Sequence, residues 1–208
     1  MRVFVDYDGT MTDHDTFDAL VNEFAGAPAW RELSAQLRSQ TLTLRQALEA
    51  QASLLRCTFE EADAYVARAT AIDPHFAPFA ERCAREGVPL TILSSGLGPL
   101  IERALARNGL AHVPLIANSA IADSEGWRMQ FVDESDNGHD KAAAVRAAHE
   151  AGEYVVFIGD GISDFTAALE ANRVFAKAGR SLERYLRKLA REFTTFESFA
   201  EIETALFG

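Results

Sequence analysis

Two aspartates two residues apart, Asp6 and Asp8, follow the apolar run Val3-Phe4-Val5 and open the turn Asp6-Tyr7-Asp8-Gly9-Thr10. A short β-branched run that stops at an acidic, glycine-containing turn reads as a buried strand. Its carboxylates then sit at the strand's carboxyl end, where open α/β sheets bind their ligands. Like charges so placed do nothing for packing. They become useful if a cation sits between them, or if one attacks while the other moves protons.

Two further strand ends carry polar residues. Val88 to Leu93 predicts a buried strand followed by Ser94-Ser95-Gly96, and Tyr154 to Ile158 predicts another that ends in Gly159-Asp160-Gly161-Ile162-Ser163-Asp164. In a parallel sheet these ends share one edge, so Asp6, Asp8, Asp160 and Asp164 converge and require a counter-charge. A hard dication with oxygen ligands meets that need, and Mg²⁺ is the usual one where phosphate is handled. Ser94, directly after the strand, is preferred to Ser95 as a ligand for an anion. Gly96 frees the backbone to turn N–H groups toward that anion at a helix start. Lys141 opens a helix after the polar loop Asp136 to Asp140 and is preferred to Lys177 and Lys188 as the point charge.

The elements that must position these groups fall into two rhythms. From Asp15 to Thr70 the pattern is helical throughout, with Phe17, Leu20, Val21 and Phe24 on one stripe and Trp30, Leu33 and Leu37 on the next. Thr43 is a candidate N-cap, and Thr58-Phe59-Glu60-Glu61 has the form of a capping box. Four helices without a strand, directly after the first strand end, predict an inserted helical cap over residues 15–73. From Asp73-Pro74 onward helix and strand alternate, which predicts a parallel sheet covered on both faces, with residues 1–14 and 74–208 as one α/β core.

Bulk properties narrow the partners. With 31 acidic and 20 basic residues the net charge is −11, which argues against nucleic acid and anionic membranes. No apolar run approaches the ~20 residues of a membrane span, and the first residues lack the pattern of a secretory signal. Cys57 and Cys83 match neither a CxxC nor a zinc spacing and read as small buried hydrophobes of a cytoplasmic protein.

The order DxDGT at Asp6 to Thr10, a serine after the second strand, a lysine, and GDGxxD at Gly159 to Asp164 resembles the four motifs of the haloacid dehalogenase superfamily. The resemblance implies a three-layer α/β fold, a parallel sheet with an inserted α-helical cap, and a Mg²⁺-dependent phosphatase acting on a small phosphorylated metabolite. It further implies Asp6 as a nucleophile that forms an aspartyl-phosphate and Asp8 as general acid and base. Ser94 and Lys141 would hold the phosphoryl group. Asp160, with Asp164 close by, would hold the metal together with Asp6 and the Asp8 carbonyl. The helical insertion resembles the small-cap branch that includes phosphoserine phosphatases. At two positions this chain departs from them: Gln51 stands where they carry an arginine for the substrate carboxylate, and Asp15 where they carry a glutamate. Phosphoserine is therefore not the expected substrate. Gln51 and Asp15 are candidate cap-side substrate contacts, although Gln51 could equally face solvent.

Asp6 to Asp13, Phe157 through Ala176, and the tail Phe193 to Phe199 resemble the methionine-salvage phosphatases that act on 2-hydroxy-3-keto-5-methylthiopentenyl 1-phosphate. Another small phosphate, phosphoserine or phosphoethanolamine, is the alternative substrate. A phospho-accepting regulatory module is the alternative class, against which the inserted helices and Asp8 both argue.

Overall fold

The structure is a computed structural model that describes residues 1–39, 41–123 and 125–208, with the side chains of Ala27, Trp30 and Arg38 outside the described set. The expected place of Trp30 in an apolar stripe therefore lies outside the described residues. Strand β1 (Arg2–Val5) is central. Its neighbours are β2 (Leu90–Leu97) on one side and β5 (Val155–Gly159) on the other, both parallel to it. Beyond β2 lie β3 (Leu115–Ile121) and the antiparallel β4 (Arg128–Gln130). Beyond β5 lie β6 (Arg173–Lys177) and β7 (Thr194–Phe196), giving the order β4-β3-β2-β1-β5-β6-β7 among the described residues. The chain builds outward from β1 in one direction and then in the other. Strand order reverses between β1 and β5, and the crevice at their carboxyl ends is the predicted ligand position.

Alternation along each strand divides the core into two layers. Val3, Val5, Ile92, Val156 and Ile158 face α5 (Phe76–Arg85), α6 (Gly98–Arg107) and α10 (Phe199–Phe207). Phe76, Phe79, Phe196 and Phe199 form an aromatic cluster there, with Phe76 and Phe199 edge to face at 4.9 Å. Phe4, Leu93, Val155 and Phe157 face α7 (Lys141–Glu150), α8 (Phe165–Glu170) and α9 (Ser181–Lys188).

The four predicted helices between β1 and α5 are α1 (Thr16–Phe24), α2 (Ala27–Arg38), α3 (Leu44–Leu54) and α4 (Phe59–Ala69). Thr43 and Thr58 both complete reciprocal capping boxes, with Gln46 and Glu61. These helices share a third apolar cluster, which includes Phe17, Leu20, Leu48, Leu55 and Val66 and extends onto Leu97, Leu100 and Trp127. Two chain segments lead into and out of them side by side: Thr12 bridges Ile72, the Asp13 N–H donates to the Ala71 carbonyl, and the Ala71 N–H donates to the Asp13 carboxylate.

Two features differ from the sequence expectation. β2 continues through Ser94, Ser95 and Gly96 to Leu97 instead of ending at Leu93, with a register break against β3 between Ser94 and Leu97. β7 was not expected, because a three-residue strand with two exposed threonines has almost no periodic signal. Among the described residues no helix is long and apolar enough to cross a membrane.

Trp127 anchors the helical segment from the β3–β4 side. It is buried, stacks on Phe59 with ring centroids 6.4 Å apart, and donates its indole N–H to the Cys57 carbonyl at 2.8 Å. Trp127→Phe keeps the stacking but leaves that carbonyl without its donor, a cost of about 1–3 kcal/mol. The urea midpoint is expected to fall accordingly, and an unchanged midpoint would show that the bond contributes nothing.

Candidate active site

Hydrophobic burial carries β1 up to Asp6, whose backbone N–H still pairs with the Ile158 carbonyl of β5. The side chain is thereby fixed at the crevice floor, 3% exposed. Its Oδ1 accepts from Lys141 Nζ at 2.6 Å and its Oδ2 from the Thr10 hydroxyl at 2.7 Å. Lys141 is fully buried at the first position of α7, behind the N-cap Asp140, and also donates to Asp164 Oδ1 at 2.7 Å and to Ser163 Oγ at 3.1 Å.

Asp164 is buried behind Asp160. Its Oδ2 accepts the Asp160 and Gly161 N–H groups, both at 2.9 Å, and so folds the acidic turn onto itself. Asp160 comes close to Gly9, which has a φ of 74° and whose missing Cβ would lie 2.5 Å from Asp160 Oδ2. Glycine is required there for both conformation and space. The start of α9 locks Asp160 from the other side, with the Leu182 N–H donating to the Asp160 carbonyl at 2.8 Å.

Asp8 points the other way. Its Oδ1 accepts the N–H of Thr16 at 2.9 Å and that residue's hydroxyl, and its Oδ2 lies 3.4 Å from Ser94 Oγ. The first residue of the helical insertion therefore holds the second aspartate. Ser94 Oγ also accepts the Gly96 N–H at 2.9 Å, and a side chain at Gly96 would collide with Asp8.

The electrostatics follow from one cation among several carboxylates. Burial by itself would lower Lys141, but Asp164 and Asp6 outweigh it and hold the ammonium above its usual range. Asp6 is pushed up by burial and by the Asp164 charge, with Lys141 opposing. Burial also raises Asp8 against the Thr16 bonds, and burial together with the Asp164 charge raises Asp160 to about 7. The buried ammonium, even with the Arg180 charge acting on Asp160, leaves this cluster short of positive charge. Asp6, Asp160 and Asp164 each offer an oxygen within 4.8 Å of the others, and an oxygen-only set of this kind suits a hard dication such as Mg²⁺.

The crevice opens into a cavity of about 480 Å³ that reaches from the carboxylates to the helical segment. Asp6, Asp8, Ser94, Ser95, Gly96 and Asp160 line its floor. Asp15, the N-cap of α1, and Gln51 line it from the helices. Gln51 is 8% exposed and donates to Asp18 Oδ1 at 2.8 Å, so it faces the cavity and not bulk solvent. Lys141 and Asp164 lie behind the floor, reaching the cavity through Asp6 and Ser163. Thr10, Thr16 and Ser163 hold charged groups of the site; Thr10 and Ser163 lie inside the two acidic motifs without being assigned a role by them, and Thr16 had no sequence signal of its own. Arg180 and Arg184 also line the cavity, although with Arg187, Lys188 and Arg191 they read from their spacing only as a basic helix face, solvated or paired with acidic surface. The usable signal was position: they follow β6, on the same sheet edge as the other strand ends.

The haloacid dehalogenase-like hydrolase family model matches residues 3–169. Pdp3-interacting factor 1 of Schizosaccharomyces pombe is 33% identical, covering 99% of this chain and 94% of that one. A polyol phosphate phosphatase of Saccharomyces cerevisiae is 27% identical, over 96% and 90% of the two chains. A 2-hydroxy-3-keto-5-methylthiopentenyl-1-phosphate phosphatase of Brevibacillus brevis is 30% identical, over 96% and 92%. Among solved structures, a phospho-aspartyl intermediate analogue of phosphoserine phosphatase superposes with a TM-score of 0.76 at 17% identity, covering 98% and 97%, a likeness of fold. The chain belongs to the haloacid dehalogenase-like hydrolase family and is a phosphatase within it.

Proposed function

We propose that this phosphatase hydrolyses the phosphomonoester of a small hydroxylated metabolite, with Asp6 as nucleophile and Asp8 as general acid and base. The observation that carries the reading is Asp6 itself: a desolvated carboxylate, oriented by Lys141 and Thr10, on the floor of a 480 Å³ cavity. Asp6 attacks phosphorus while the bond to the leaving oxygen breaks, and Asp8 donates the proton that oxygen needs. Asp8 then takes a proton from the water that hydrolyses the aspartyl-phosphate. Burial raises its affinity for protons, the direction a general acid requires. Ser94, Ser95 and Gly96 bind the phosphoryl group from the cavity floor, and Lys141, buried behind Asp6, adds its positive charge. Asp6, Asp160 and Asp164 would hold Mg²⁺, which when bound neutralises charge on the phosphoryl oxygens.

The helices of residues 15–73 act as a cap over the core of residues 1–14 and 74–208, and its closure excludes water from the site. Inside it, Leu33, Leu37, Leu44 and Leu48 form an apolar ledge opposite the carboxylates, beside the Gln51–Asp18 pair. A hydroxylated chain with an apolar end fits both surfaces, which favours a methylthiopentenyl-type substrate over phosphoserine.

Three measurements bear on this reading. Phosphate release across methylthiopentenyl enol phosphate, polyol phosphates, phosphoserine and phosphoethanolamine is expected to favour the first. A preference for phosphoserine would overturn the roles of Gln51 and the leucine ledge. Asp6→Asn is expected to abolish turnover while the circular dichroism spectrum and melting temperature survive, and retained release would remove Asp6 as nucleophile.

The third is pH dependence without metal. Asp160 binds its proton more tightly folded than unfolded, at about 7 against 3.8. The associated stability is therefore present below the unfolded value and lost as pH rises through the folded one. In chelator the melting temperature is expected to fall between pH 4 and pH 7. Asp160→Asn is expected to make that fall shallower, with Asp6 and Asp8 carrying the remainder, and Mg²⁺ to oppose it more strongly in the wild type. Equal slopes in both proteins would contradict the charge deficit.

A further inference from the structure

Where β2 passes the site, its register against β3 breaks: Ser94 pairs with Ala117, and the next partner of β3, Asn118, pairs with Leu97. Ser95 and Gly96 are thus left over in a fully buried strand. A buried strand residue outside the ladder has a carbonyl that needs a donor. Asn118 supplies it. Its side chain is completely buried, and its Nδ2 donates to the Ser95 carbonyl and to the Gly138 carbonyl, each at 2.8 Å. Its Oδ1 accepts the Val132 N–H at 3.0 Å. Two carbonyls on one side and an N–H on the other fix the orientation of the amide.

The adjacent carbonyl is held from the same loop. His139, 5% exposed, lies with Nδ1 3.0 Å from the Ser94 carbonyl and must donate, because a carbonyl can only accept. Gly138 and His139 immediately precede Asp140, the N-cap that starts the helix of Lys141. Successive carbonyls of the phosphate-facing bulge are thus tied to the loop that delivers the buried ammonium. Ser94 and Lys141 come from elements far apart in sequence, and these bonds set one relative to the other.

We propose that Asn118 and His139 are positioning residues for phosphate recognition: together they latch the Ser94–Gly96 bulge to the Lys141 loop. The proposal rests on the reading of Ser94 to Gly96 and Lys141 as the phosphoryl site. Neither residue lines the cavity, so both act through the groups they hold.

The test measures competitive inhibition by inorganic phosphate, together with KM, kcat and melting temperature. The variants are Asn118→Ala, His139→Leu and His139→Gln, with Ser94→Ala alongside. Loss of one such hydrogen bond corresponds to about a three- to tenfold change. His139→Leu and Asn118→Ala are expected to weaken phosphate inhibition and raise KM by that factor, while His139→Gln, which keeps a donor, restores it. Asn118→Ala leaves two buried carbonyls without a donor and can fail to fold, in which case the two His139 variants decide. Variants that lose melting temperature with phosphate inhibition and KM unchanged would overturn the latch. If Ser94→Ala also leaves phosphate inhibition unchanged, the phosphoryl-site reading fails, and the latch with it.

Discussion

The structure depends on one buried ammonium. Lys141 is fully enclosed and shared between Asp6 and Asp164, at 2.6 and 2.7 Å. Removing one partner of such an arrangement leaves an uncompensated charge in a low-dielectric interior, whose cost far exceeds that of a surface pair. The fold supplies the ammonium from α7 and the carboxylates from β1 and β5, three elements brought together only by the parallel sheet. Even so the cluster remains short of positive charge, since three carboxylates, Asp6, Asp160 and Asp164, share the buried ammonium and the partial influence of Arg180 on Asp160. An oxygen-only set left in deficit in this way suits a hard dication.

The helices between β1 and α5 join this centre by short polar contacts as well as by the apolar cluster they share with Leu97, Leu100 and Trp127. Thr16 opens α1 and grips Asp8; Arg180, at the start of α9, donates to the Asp13 carbonyl in the segment that leads into the helices. The paired segments at Thr12 and Ile72 carry the chain out and back. The Asp8 carboxylate and the start of α1 are therefore held together.

Much of this was legible in the sequence, for identifiable reasons. Asp6, Asp8, Asp160 and Asp164 are charged residues at the ends of apolar runs, a combination that burial makes conspicuous. Lys141 was found because a lysine at a helix start after a polar loop has few structural uses. The four helices announced themselves by apolar spacing and by threonine caps at Thr43 and Thr58. Groups that act by satisfying backbone left no such trace. Asn118 lies just past Leu115-Ile116-Ala117, which reads only as a short strand, and its importance depends on a register break that no local periodicity reveals. Arg180 and Arg184 looked like a solvated basic face, because only the topology places the start of α9 at the cavity. β7 is too short to show a period at all.

The central claim, that Asp6 is the covalent nucleophile, is tested most directly by trapping. The enzyme is mixed with a turning-over substrate and Mg²⁺, acid-quenched, and treated with borohydride, which reduces an acyl phosphate to the alcohol. Peptide mass spectrometry is expected to find homoserine at position 6 and unmodified aspartate at positions 8, 160 and 164. Reduction at another carboxylate, or none anywhere during full turnover, would contradict the account.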